Sequence, residues 1–155
     1  MSERGLLIRD GRDEDAEPGA ALLRESILQL CDADHNNDPA AIAAWLANKT
    51  AAEFRRWLKT PGQSLLVAES GSQTAGVGLI GDGGELLLLY VDPERRLTGV
   101  GRALLRALEV RALERGACGV QLESTITALS FYEAAGYALV PQGGLRLAKR
   151  MRAVG

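Results

Sequence analysis

The chain has 155 residues, 46% of them hydrophobic and 25% charged, with a formal net charge of −2. That balance fits one soluble globular domain spanning 1–155, with a single continuous core. It excludes the overall basic character that broad nucleic-acid binding uses, and no run approaches the ~20 apolar residues that span a bilayer.

The N-terminal segment MSERGLLIRDGRDED is charged and is expected to be neither a signal peptide nor an anchor. Within it, residues 5–10 read as a first strand. Acids from Asp13 to Glu17 and then Pro18 suit a helix N-terminus, where unpaired N–H groups favour negative charge. Leu23, Ile27 and Leu30 follow at helical spacing, which predicts a helix over 14–31. Cys31 and Cys118 are far apart and in no metal-type spacing, so no disulfide framework is expected and a reducing cytoplasm is the expected compartment.

CDADHNND (31–38) reads as a polar loop. Its Asp32-x-Asp34-x-Asn36 spacing hints at a calcium loop, but Asn37 stands at the sixth position and Ala43 at the twelfth, where glycine and glutamate are required. His35 is the only histidine and reads as part of a solvated loop; a base role, or a metal set with Cys31, Asp32 and Asp34, is the alternative. We expect no metal.

Asp38-Pro39 looks like a cap with proline in the first turn, and Ile42, Trp45 and Leu46 fall on one face of a short helix. Thr50-Ala51-Ala52-Glu53 is a capping-box pattern before Phe54, Trp57 and Leu58. Pro61-Gly62 ends these helices.

From Ser64 the pattern changes to SLLVAE, TAGVGLIG and ELLLLYV, three strands joined by tight turns, an antiparallel meander. The third lacks period-2 alternation, which predicts burial on both faces. A loop and a helix to about Arg115 follow, with Val100, Leu104, Ala107 and Leu108 apolar, and Arg102, Arg106 and Glu109 on the wet side. GVQLES is a strand, TALSFYEAA a short helix, and 137–141 with 145–150 a terminal hairpin. The predicted class is α+β: a mixed, mostly antiparallel sheet with one right-handed parallel βαβ crossover at 85–124.

The loop between that third strand and its helix carries the chemistry. Gly99 and Gly101 remove side chains where helix N–H groups point outward, and Arg96 and Arg102 add positive charge, so a diphosphate fits. A Walker A loop needs Gly-Lys-Ser/Thr, which is missing. A dinucleotide fingerprint needs a third glycine where Leu104 stands, and repeated βαβ units. The remaining reading is Arg/Gln-x-x-Gly-x-Gly/Ala, an acyl-CoA loop.

ELLLLYVDPERRLTGVGRALLRALE, then LES, then TALSFYEAAGY, resembles the GCN5-related N-acetyltransferase (GNAT) superfamily over about 64–140. The resemblance implies a GNAT-like acyl-CoA N-acyltransferase fold and direct transfer of acetyl from acetyl-CoA, its cosubstrate, to an amine of a small molecule or protein. It implies that backbone groups of Leu89 and Val91 pair with pantetheine, where strands 85–91 and 119–124 splay. Amides of Leu97, Thr98, Gly99, Val100, Gly101 and Arg102, beside Arg96, would hold the pyrophosphate. Leu97 stands where members often have glycine, and Thr127 where many carry a cofactor-touching asparagine. Tyr132 would protonate the leaving thiolate. Glu85 matches the base of histone-acetylating members; Glu123, or proton loss to water, is the alternative. Trp45, Phe54 and Trp57 would line the acceptor pocket or anchor the core. The sheet edges and terminal hairpin can support a homodimer. The competing class is a non-catalytic acyl-CoA-binding regulatory module.

Overall fold

The computed structural model describes residues 5–141 and 144–151. A seven-stranded sheet runs in the order β1-β2-β3-β4-β5-β7-β6, with β1 Leu6–Asp10, β2 Gln63–Ser70, β3 Gln73–Gly81, β4 Glu85–Val91, β5 Gly119–Glu123, β6 Ala138–Leu139 and β7 Arg146–Arg150. Every neighbouring pair is antiparallel except β4 with β5. This is the mixed α+β architecture that the sequence predicts, crossover included.

Helices cover both faces. On one side lie α1 Ala16–Leu30, α2 Asp32–His35, α3 Pro39–Leu46 and α4 Ala51–Lys59. On the other lie α5 Val100–Glu114 and α6 Leu129–Ala134. The core is accordingly split. Phe54, Trp57, Leu23, Val67 and Val77 fill the first layer, and Leu104, Leu108, Ile80, Leu122 and Leu147 the second. A Cβ on Gly78 of β3 would stand 2.5 Å from Leu108, so this bare position lets α5 lie close on the sheet.

Several local signals act as read. Thr50 Oγ1 accepts the Glu53 N–H at 3.1 Å and caps α4. Other expectations change. The acids Asp13–Asp15 form a 3₁₀ turn before α1 rather than its first residues. Asp15 is instead buried and held by Arg9 through two hydrogen bonds, which keep its carboxyl below the usual range. The predicted polar loop 31–38 contains the helical turn α2.

Glu109 is buried rather than wet. It accepts a hydrogen bond from the Tyr137 hydroxyl at 2.8 Å and one from Lys149 at 3.2 Å, partners supplied from 28 and 40 residues away. The terminal hairpin is shorter than expected, with two residues in β6; part of its turn, 142–143, lies outside the described residues.

β4 departs most from expectation. It is not buried on both faces: Leu87 is 45% exposed. Two causes combine. Leu86 pairs with Ile80 and Leu88 with Leu79, so Leu87 is an extra, bulged residue. On the opposite edge, pairing with β5 stops after Glu85–Gln121 and Leu86–Leu122. Beyond Leu86 the two strands part.

Candidate active site

Where β4 and β5 separate, a cleft of about 440 Å³ opens. The Leu87–Val91 edge of β4, the loop 95–102, the start of α6 and the end of α1 surround it. A strand edge without a neighbour presents backbone N–H and C=O groups to whatever fills the gap. Leu89 and Val91 both line this edge.

The loop end of the cleft has the geometry and charge to accept an anion. Gly99 takes φ +93° and its Cβ position faces open space, so the backbone turns into α5 without a side chain in the way. No side chain caps α5, and its first intrahelical bond runs from Ala103 N–H to Gly99 C=O at 3.0 Å. The N–H groups of Val100, Gly101 and Arg102 therefore open the helix as free donors, reinforced by its dipole. A Cβ on Gly101 would sit 3.4 Å from Val91 and from the Phe131 ring, filling the cradle. Arg96 and Arg102 line it without an ion-pair partner among the described residues.

Leu97 holds φ +65°, a left-handed conformation that costs a non-glycine residue ~1–2 kcal/mol, and its side chain is 94% exposed at the rim. Thr98 turns its hydroxyl inward to donate to Arg95 C=O, and the Val100 side chain is core, so these two contribute backbone alone to the loop.

Tyr132 faces the cleft from α6. Its ring is wedged edge-on between Phe131 and Tyr137, at centroid distances of 5.2 and 5.7 Å. Burial pushes its phenol well above the ordinary range, helped by the neighbouring Tyr90. Tyr90, on β4, is pushed up to about 12 by the same burial, with the nearby Trp45 opposing the shift. Both phenols are thus protonated across the working pH range.

Thr127 also lines the cleft, but its hydroxyl is engaged. Asp34 Oδ2 accepts the Thr127 hydroxyl at 2.6 Å and its N–H at 3.1 Å, while Asp34 Oδ1 accepts the Ile126 N–H at 2.6 Å. Thr125 Oγ1 accepts the Ala128 N–H at 3.1 Å. Asp34 therefore fixes the loop that delivers α6 and Tyr132. By sequence Asp34 belongs to a polar loop; only its contact 92 residues away reveals the role.

Glu85 and Glu123 part company. Arg146 Nη2 donates to Glu85 Oε1 at 2.6 Å, and Glu85 does not line the cleft. Glu123, exposed at the end of β5, does line it. His35 is neither solvated nor free. Its Nε2 contacts the Ile27 carbonyl and its Nδ1 the Asn37 N–H, both at 3.0 Å, so Nε2 carries the proton and the ring is fully used. Cys31 sits in the cleft wall, and burial pushes its thiol up to about 11, the opposite of an activated nucleophile. Among the described residues no group of three His, Cys, Asp or Glu is placed to hold a metal ion.

The three aromatics divide as well. Phe54 and Trp57 are core anchors, and Trp45 packs edge-on against His35; none of the three lines the cleft. Among the described residues no helix is long and apolar enough to cross a membrane.

A sequence family described as acetyltransferase (GNAT) domain matches residues 31–146. No curated protein sequence matches the chain. Among solved structures, a GCN5-related N-acetyltransferase from Rhodopseudomonas palustris is 26% identical, with a TM-score of 0.82 over 97% of this chain and 99% of that one. The PaiA N-acetyltransferase of Thermoplasma acidophilum, in complex with coenzyme A, is 21% identical with a TM-score of 0.82, over 94% and 99% of the two chains. A GNAT family acetyltransferase from Brucella melitensis, in complex with acetyl-CoA, is 18% identical with a TM-score of 0.69, over 96% and 89%.

Proposed function

The chain belongs to the GNAT acetyltransferase family, and we propose that it transfers acetyl from acetyl-CoA directly to an amine. One observation carries this reading: a single cleft joins an anion-binding helix N-terminus, an open strand edge and a buried phenol. Diphosphate, pantetheine and thioester sulfur need those three elements in that order. The complexes of the PaiA and Brucella proteins agree with it.

Acetyl-CoA, when bound, supplies an activated acyl group on a thiol leaving group. The loop amides 97–102 with Arg96 and Arg102 hold its diphosphate, and the Leu89 and Val91 backbone aligns the pantetheine arm. Glu123 takes one proton from the incoming ammonium; its place in the cleft favours it over Glu85, which Arg146 holds. The neutral nitrogen then attacks the carbonyl carbon, forming N–C as C–S breaks. Tyr132 gives its proton to the departing sulfur and recovers one from the acylated nitrogen. Thr127 offers backbone and loop position, since its hydroxyl serves Asp34.

Gly101→Glu tests the assignment. It places bulk and negative charge in the diphosphate cradle, and calorimetry should read at least a ~100-fold loss of acetyl-CoA affinity in a folded protein. Unchanged affinity would remove the loop from the cofactor site. Binding to the native chain without thiol release on any amine would favour the non-catalytic module.

A further inference from the structure

The cleft has two chemically different ends. Arg96 and Arg102 make one end positive, whereas Arg95 is held by Asp92 and Gln73. At the other, Ser26, Leu30 and Cys31 from the end of α1 face Leu87, Leu88 and Tyr90 of β4, and none of these six carries a charge. Among the residues that line the cleft, Glu123 is the sole carboxylate. Other carboxylates lie elsewhere: Glu14, Asp15, Glu25 and Glu69 line, together with Arg9 and Arg12, a separate groove of about 840 Å³ between α1 and the β2–β3 turn. They are not brought to the transfer site.

Resting on the acetyltransferase reading, we propose that the acceptor is a monoamine on an apolar body, with Glu123 receiving its single ammonium. One carboxylate neutralises one cation. A second ammonium, as in a polyamine or an aminoglycoside, would meet leucines there, because the nearest further carboxylates stand outside the cleft lining: Asp34 already accepts three hydrogen bonds, and Asp32 faces solvent. An alkyl or aryl body instead covers Leu30, Leu88 and the half-exposed Leu87. Leu87 takes this place because the bulge turns it out of the strand's alternation.

The test measures thiol release by the full chain with acetyl-CoA and a panel of amines: phenethylamine and tryptamine against spermidine, kanamycin and a lysine-rich peptide. The expected kcat/KM is at least ~10-fold higher for the two arylalkylamines, the scale on which apolar pockets discriminate. Leu30→Glu should shift that ratio at least ~10-fold toward spermidine without changing acetyl-CoA affinity, whereas Leu30→Gln, the neutral control, should not. Turnover of spermidine, kanamycin or the peptide equal to or above that of the arylalkylamines overturns this inference and leaves the transferase reading intact. Acetyl-CoA binding with no thiol release on any amine overturns both.

Discussion

Tyr132→Phe isolates one atom of the proposed mechanism. The ring keeps its place between Phe131 and Tyr137, because those contacts use its edges and faces. The hydroxyl has no protein hydrogen-bond partner among the described residues, so its loss leaves no buried group unpaired. We therefore expect Tm to change by less than ~2 °C, since 1 kcal/mol is worth roughly 2–4 °C in a chain of this size. Turnover should behave differently. A positioned acid contributes ~10²–10⁴-fold, and a phenol shifted upward by burial is a weaker donor, which favours the low end. A fall in kcat of ~100-fold, about 2.7 kcal/mol of barrier, is the expected result. The assay is thiol release at saturating acetyl-CoA and amine, with cofactor affinity measured separately by calorimetry. Affinity should stay within ~3-fold. The pH dependence follows from the direction of the shift: the acid is active while protonated and is lost only as pH rises through its folded value. Since that value lies above the ordinary phenol value of ~10, kcat of the native enzyme should not decline from this group between pH 7 and 10. A variant retaining more than half the native kcat, or one whose defect is confined to acetyl-CoA affinity, would remove Tyr132 from proton transfer.

The two glutamates separate by substitution. Glu85→Gln breaks a solvent-screened surface pair with Arg146 that contributes little to stability, so Tm should fall by under ~4 °C and kcat/KM should hold within ~2-fold. Glu123→Gln should lower kcat/KM at least ~10-fold near pH 7 and recover as pH rises and the amine loses its own proton; the opposite pattern would make Glu85 the base. Asp34→Ala removes three hydrogen bonds to the 126–127 loop and should cost ~1–3 kcal/mol, read as a lower Tm together with a several-fold fall in kcat; an unmoved Tm and kcat would show the clamp to be dispensable. Gly19→Ala sets two rules against each other. Helix propensity favours alanine by ~1 kcal/mol, but its Cβ would stand 2.4 Å from the buried Phe54 ring, and overpacking costs ~1–3 kcal/mol. Denaturant unfolding should show net destabilisation, and a gain in stability would mean that Phe54 moves freely.

The junction proposed to hold the diphosphate is legible because its determinants are local. Gly99 and Gly101 sit two residues apart at one strand–helix junction, and a backbone anion site needs little else. The end proposed for the acceptor is not, because its determinants are distant in sequence. Arg146 reaches Glu85 across 61 residues, and only the register of β7 on β5 brings it near. Asp34 reads locally as a metal candidate and Thr127 as a cofactor contact, and no local pattern reveals that they bind each other. Phe54 and Trp57 illustrate a different loss. Helical spacing reveals that a face is apolar but not what it faces, and here it faces the sheet.

β4 hides its own register. In ELLLLYV any alternation leaves leucines on both faces, so composition cannot reveal an added residue. The bulge decides the matter: Leu86, Leu89 and Val91 turn toward α5, while Leu88 and Tyr90 turn toward α1 and α4. Without Leu87 as the extra residue, Leu86 would share a face with Leu88 and Tyr90, and the α5 layer would lose a buried side chain. With it, both layers are filled and one leucine is left over, next to the point where β4–β5 pairing ends. The same irregularity therefore accompanies the open backbone edge proposed for the cofactor and leaves Leu87 to form the acceptor wall without drawing on the core. A substitution at Leu87 can alter that wall at little cost to packing, whereas one at Leu86, which is 5% exposed, cannot.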